Sequence, residues 1–222
     1  MNKITIILAL VIFSFNTAFS QCNPYYNFKE GNKWEITDYD HKDKKTGKQI
    51  YEIKSLDENG SGWKAKMYFQ TFDKKDKKVM GQEVEMECKD GVIEMDMTRF
   101  IPAETLEAMK NMNVTLEVEK LDWPSDLSVG QKLSDGAIHM KSSMFNMSTM
   151  ITDRKVESKE SITTPAGTFD CFKVTYKIST KSFMTMELYA IDYIAENVGV
   201  VKSESYNSNK KLTGYTLLTS VN

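Results

Sequence analysis

The stretch Val79-Met80-Gly81-Gln82-Glu83-Val84-Glu85-Met86-Glu87-Cys88-Lys89-Asp90-Gly91-Val92-Ile93-Glu94-Met95 decides the fold. From Glu83 to Cys88 acidic and apolar residues alternate one by one, the period of a strand with one wet face and one buried face. Lys89-Asp90-Gly91 breaks the alternation with turn-forming residues, and Val92 to Met97 resumes it, so the stretch reads as a β-hairpin. Upstream, Trp34 to Tyr39, a turn over Asp40 to Lys48, Gln49 to Leu56, and Trp63 to Phe72 repeat the pattern. Asn59-Gly60-Ser61-Gly62 is the strongest turn signal, and Asp73 to Lys78 makes another. On this reading Glu83, Glu85, Glu87, Glu94 and Asp96 are the solvent faces of strands and not a general acid–base pair.

Downstream the runs continue: Val114 to Val118, a loop at Trp123-Pro124, one long extended stretch from Ala137 to Ile151, and Arg154 to Thr163. Phe169 to Ile178, Phe183 to Asp192, Gly199 to Tyr206 and Leu212 to Val221 complete the set, with Asn207 to Lys211 as the last hairpin loop. Only Pro102 to Met112 departs, with good helix formers and Leu106 and Met109 on one face. So many hairpins must curl or close, because twist accumulates and free edges invite aggregation. The expected fold is mainly β: one strongly curved antiparallel sheet, a half-barrel or barrel, with a short helix capping its concave face.

Met1 to Ser20 has the layout of a secretory signal: Lys3, the uncharged apolar run Ile4 to Phe15, and Ala18-Phe19-Ser20 before the cleavage point. The apolar run is too short to span a bilayer core, which needs about 20 residues. The expectation is a signal peptide over 1–20 and a single β domain over 21–222, with no transmembrane segment after cleavage, periplasmic or extracellular. Cys22 raises a lipid-anchor alternative, against which Gln21 argues, since a small residue normally precedes a modified cysteine.

The formal net charge of −2 argues against nucleic acid, or an anionic membrane, as the main partner. Lysine runs at Lys42 to Lys48, Lys74 to Lys78 and Lys210-Lys211 fall at turns and read as solvated loop tips. In an oxidising compartment Cys22, Cys88 and Cys171 imply one disulfide and one spare thiol, with all three pairings open. Cys-X-X-Cys, Gly-X-Ser-X-Gly, His-Glu-X-X-His and phosphate- or calcium-loop motifs are absent, and His41 and His139 belong to no motif. No catalytic residue, cofactor or metal is expected.

Of 14 methionines, all but Met1 lie between Met67 and Met186. Met95/Met97 and Met184/Met186 each share a strand face, and Met140, Met144, Met147 and Met150 crowd another segment. Three readings are open: flexible filler of an irregular core, the lining of a cavity for a lipophilic ligand, and thioether ligation of Cu(I), with His139 beside Met140. The ligand reading draws on Met95, Met97, Leu106, Met109, Met140, Met144, Met184 and Met186.

Lys159-Glu160-Ser161-Ile162-Thr163-Thr164-Pro165-Ala166-Gly167-Thr168-Phe169-Asp170-Cys171-Phe172-Lys173-Val174 resembles the signature of a TapB-like family of exported bacterial proteins, grouped in a larger domain-of-unknown-function family. Cys22-Asn23-Pro24-Tyr25-Tyr26, Leu127-Ser128-Val129-Gly130-Gln131 and Asn197-Val198-Gly199-Val200-Val201-Lys202-Ser203-Glu204, followed by Lys211-Leu212-Thr213-Gly214-Tyr215, extend the resemblance in order. Asp192-Tyr193-Ile194-Ala195 departs from it, where a tryptophan-containing sequence is expected. The resemblance implies the curved sheets of periplasmic lipid carriers and supplies no catalytic residues. Physically, Pro165 to Thr168 is a turn into Phe169 to Ile178, where Phe172, Val174, Tyr176 and Ile178 face inward and Cys171 faces outward unless a bulge intervenes. The resulting expectation is a non-enzymatic binding or carrier module for a lipophilic small molecule. Its rival is an accessory envelope protein acting through protein–protein contacts.

Overall fold

The computed structural model describes residues 22–222 except 27, 61, 96, 97, 99, 100, 102 and 144. The signal-peptide reading of 1–20 therefore lies outside the described residues, as do Met97 and Met144. The described chain contains two up-and-down meanders. The first is β1 (Lys33–Asp40), β2 (Lys45–Asn59), β3 (Gly62–Asp73), β4 (Lys78–Lys89) and β5 (Val92–Met95). A helix, α1 (Ala103–Asn111), and two short strands, β6 (Thr115–Glu119) and β7 (Leu121–Trp123), follow. The second is β8 (Gly136–Lys141), β9 (Asn146–Thr164), β10 (Gly167–Lys181), β11 (Thr185–Ala195), β12 (Gly199–Asn207) and β13 (Leu212–Val221).

All thirteen strands join one antiparallel sheet in the order β6-β8-β9-β10-β11-β12-β13-β1-β2-β3-β4-β5-β7. β1 pairs with β13 across nearly the whole chain length, from Trp34 against Val221 to Asp40 against Gly214. The two edge strands, β6 and β7, are consecutive in sequence and separated by Lys120 alone. Residues 115–123 thus form one extended segment whose first half pairs with β8 and whose second half pairs with β5. A sheet whose two edges are halves of one segment has to curl into a nearly closed barrel, which hides edges that would otherwise pair with other chains.

Below β8 the loop before it completes the closure. Leu133 N–H donates to the Arg154 carbonyl and Val156 N–H to the Gln131 carbonyl, so the loop runs along β9. Gly136 lies against β7, where an added Cβ would stand 2.6 Å from Leu121 Cδ2 and push that side chain aside.

The hairpin at Lys89-Asp90-Gly91 forms as expected, with Cys88 opposite Ile93 and Gly91 in the left-handed region at φ 84°. Two details differ from the sequence reading. The stretch 137–151 is a hairpin and not one strand: β8 turns into β9, with Lys141 opposite Asn146. Asp153 takes φ 57° in β9 and shifts the register against β10, so Arg154 and Val156 are both buried.

The core is built between the two meanders, with Ile53, Met67, Val84, Met86 and Ile93 from the first and Val156, Val174, Ile194, Val201 and Leu218 from the second. Residues 22–26 and 28 plug the barrel end that holds the Lys89-Asp90-Gly91 turn. Cys22 is disulfide-bonded to Cys88 and Cys171 is a buried free thiol, which resolves the pairing left open by spacing. Buried Asn23 donates to the Gly91 and Trp123 carbonyls at 3.0 and 2.9 Å. Tyr25 packs edge-on to Phe172, and Phe28 sits between Trp34 and Trp63.

Candidate functional site

A cavity of about 310 Å³ occupies the barrel centre. Tyr26 and Phe28 of the plug bound it at one end, Met67, Met86 and Met95 on the first meander, and Ile151, Val200 and Leu218 on the second. Trp34 and Trp123 supply two aromatic walls. A smaller cluster around Leu121, Ile138 and Met140, which includes Met109 of α1, shares Met95 and Ile151 with this lining region. The helix side of the barrel therefore abuts the cavity through side chains common to both.

Into this apolar space the second meander brings one charged network. Asp192 on β11 is buried and accepts hydrogen bonds from the Tyr176 hydroxyl at 3.1 Å and the Ser203 hydroxyl at 2.6 Å. All three line the cavity, as does Arg154. Arg154, only 2% exposed, donates from Nη1 to the Ser134 carbonyl (2.5 Å) and to Asp122 Oδ1 (3.3 Å), and from Nη2 to the Asp122 carbonyl (2.9 Å). Its guanidinium lies over the Trp123 ring, 4.7 Å from the centroid. One side chain thus fastens β9, the loop before β8 and β7 at the seam.

Burial dominates the electrostatics. It raises the Asp192 carboxyl above the usual carboxylate range, although both hydroxyl partners and the Arg154 charge pull it down. Burial, reinforced by the Asp192 charge, also pushes the Tyr176 phenol well above its ordinary value. Across the cavity Tyr51 donates to Gln49 (2.7 Å) and Gln49 donates to Asp38 (2.9 Å), forming a polar wall that ends on the Asp38 carboxyl.

A carboxyl whose folded pKa is raised binds its proton more tightly in the folded chain, so its contribution to stability falls as pH rises through the folded value. Asp192→Asn removes that penalty and keeps a group able to meet both hydroxyls. The variant is expected to match or exceed the parent in urea midpoint at pH 7, with a flatter stability profile toward neutral pH. A large loss at pH 7 would show that the carboxylate's hydrogen bonds outweigh its desolvation.

The methionines singled out by spacing are dispersed. Met95 lines the cavity, while Met140 is buried in the helix-side cluster and Met109 packs against it. Leu106 is half-buried on α1. Met184 and Met186 are exposed on the β10–β11 hairpin. The cavity's other thioethers, Met67 on β3 and Met86 on β4, belong to none of the clusters that spacing marks. His139 and Met140 point to opposite faces of β8, and the imidazole Nδ1 pairs with the Ser148 hydroxyl at 2.9 Å. Among the described residues no three His, Cys, Asp or Glu side chains gather as a metal site. Cys171 is enclosed, contrary to its expected outward position: it lines a separate hollow of about 390 Å³ with Tyr25 and Phe169, and burial pushes its thiol up to about 11. The sequence reading missed Arg154, Tyr176 and Asp192 as site residues; the departure from the resembled pattern at Asp192 was the available signal.

The DUF3108-like family model matches residues 29–218. A Bacteroides fragilis protein described as exported, with a YmcC-like fold, is 24% identical and superposes with a TM-score of 0.72, covering 90% of this chain and 100% of that one. A Parabacteroides distasonis protein described as a lipoprotein is 24% identical with a TM-score of 0.74, covering 91% and 100%. No curated protein matches the chain.

Proposed function

The chain belongs to the DUF3108-like family, and from that premise we propose that it is an exported, non-enzymatic binding or carrier protein for a small amphipathic ligand held in the central cavity. The observation that carries this reading is the burial of Asp192, with Tyr176, Ser203 and Arg154, in a largely apolar lining. Burying a carboxylate costs stability, and perturbed groups in a cleft concentrate where ligands bind. The volume lies at the low end of small-molecule sites, which run roughly 300–1,000 Å³. That size suits a single apolar chain or ring body against Phe28, Met67, Met86 and Trp123, with a polar head at Asp192, Tyr176 and Ser203. The residues 159–174 that resemble the TapB-like signature support a finer placement within the family, and the layout of Met1 to Ser20 supports export.

Native mass spectrometry of protein purified from the envelope, before and after mild organic extraction, tests the reading. The expected result is an added mass of small-lipid size that extraction removes. Met86→Trp should abolish the adduct by filling the cavity, at an overpacking cost of about 1–3 kcal/mol. Trp34 and Trp123, two of the three tryptophans, give a second readout: an apolar probe should shift the intrinsic fluorescence of the parent and not of the variant. A bare mass, with no fluorescence shift even under excess lipid, sinks the carrier reading and leaves the accessory envelope protein in front.

A further inference from the structure

The lysine runs look dispersed in sequence, but antiparallel topology sorts them. The β1–β2, β3–β4, β8–β9, β10–β11 and β12–β13 connections all emerge at one end of the barrel. The β2–β3, β4–β5, β9–β10 and β11–β12 connections emerge at the other, with the disulfide-bonded plug. The first set carries Lys42, Lys44, Lys74, Lys75, Lys77, Lys210 and Lys211, all exposed, against Asp43 and Asp76. The second set carries Asp90 and Glu196, with Lys89 beside Asp90 and no run of lysines. A chain of net charge −2 therefore has one strongly basic end.

The same end carries the most exposed apolar side chains. Phe183 at the β10–β11 tip is 95% exposed, Met184 76% and Met186 61%, and Val79 beside the β3–β4 tip is 70% exposed. Ser182-Phe183-Met184 contains no charge, and Lys181 precedes it. A soluble surface gains nothing from an exposed phenylalanine followed by two exposed methionines, whereas a bilayer interface takes aromatic and apolar tips while lysines meet anionic headgroups.

We infer that the basic end docks on an anionic lipid surface, with the Phe183-Met184 tip inserted and the ring of lysines around it. Charge complementarity selects this partner: the opposite end, where Asp90 and Glu196 stand with Lys89, has no such ring of lysines. The inference rests on the hairpin tips and is independent of the cavity reading.

The test is flotation of the envelope-purified chain with vesicles of phosphatidylglycerol in phosphatidylcholine, and with phosphatidylcholine alone. Binding to the anionic vesicles only is expected, falling as salt rises to 1 M, where the screening length shrinks to about 3 Å. Phe183→Ser with Met184→Ser should weaken it by about tenfold or more, the scale of one buried aromatic side chain. Lys210→Glu with Lys211→Glu should weaken it while leaving the apolar tip intact. All four positions are exposed, so circular dichroism should report an unchanged fold. Equal binding to neutral vesicles, or binding indifferent to the tip variant, overturns the inference. So does an absence of binding, which would leave the tip to a protein partner.

Discussion

Arg154→Met is expected to lower the free energy of unfolding by about 3 kcal/mol, because two carbonyls in the seam lose their donor at about 1–3 kcal/mol each. Those carbonyls belong to Ser134 and Asp122. The ion pair itself adds little, since the Asp122 side chain keeps 33% exposure and stays solvated. Methionine fills much of the same space and preserves contact with Trp123, so the loss isolates the hydrogen bonds. Arg154→Lys should recover only a fraction, because an ammonium cannot serve both carbonyls from the planar fork of a guanidinium. Urea unfolding followed by tryptophan fluorescence measures both variants. A loss below about 1 kcal/mol for methionine, within the range of ordinary surface changes, would mean that the seam is held elsewhere.

Replacing Cys22 and Cys88 together by serine should cost about 4 kcal/mol, the loop-closure entropy for their separation of 66 residues. The effect is expected to exceed the entropy alone in one respect. Without the bridge, Asn23 loses its anchor to the Gly91 and Trp123 carbonyls, and the plug that bounds the cavity frays. Thermal unfolding with and without a reductant gives the stability difference. Limited proteolysis near Tyr25 gives the fraying. The intact mass of the envelope form is a linked check: a lipid thioether and the disulfide need the same Cys22 sulfur, so an acylated mass would overturn the bridge. Full stability of the serine pair would overturn the structural role assigned to the bridge.

The barrel was legible because its hairpins announce themselves twice, by alternation and by turn chemistry. Glu83 to Cys88 alternates cleanly, and Gly91 supplies the positive φ its turn requires. The β8–β9 turn escaped notice because Ser142-Ser143-Met144-Phe145 contains no glycine, proline, asparagine or aspartate. The site was far less legible. Arg154 lies in the polar run Thr152-Asp153-Arg154-Lys155, which reads as a solvated strand until Asp153 breaks the register and turns the guanidinium inward. Asp192 and Tyr176 meet only because β10 and β11 pair between Val174 and Asp192 and between Tyr176 and Ala190. Spacing drew the eye to paired methionines, whereas the cavity takes Met67, Met86 and Met95 one from each of three adjacent strands. The lysines were read correctly as exposed tips, but only topology reveals that they gather at one end.

The extended segment 115–123 has one more consequence, for the order in which the molecule comes together. Each meander is built from neighbours in sequence and can condense early and separately. Among the described residues the strands of the two halves then pair along two joints, β1 against β13 and the shared segment at the seam. The cavity is the space left between these half-shells, with Met67 and Met86 on one and Tyr176, Asp192 and Ser203 on the other. Whatever fills that space works as a rivet through both shells, and the seam is where an empty shell would first breathe in hydrogen exchange.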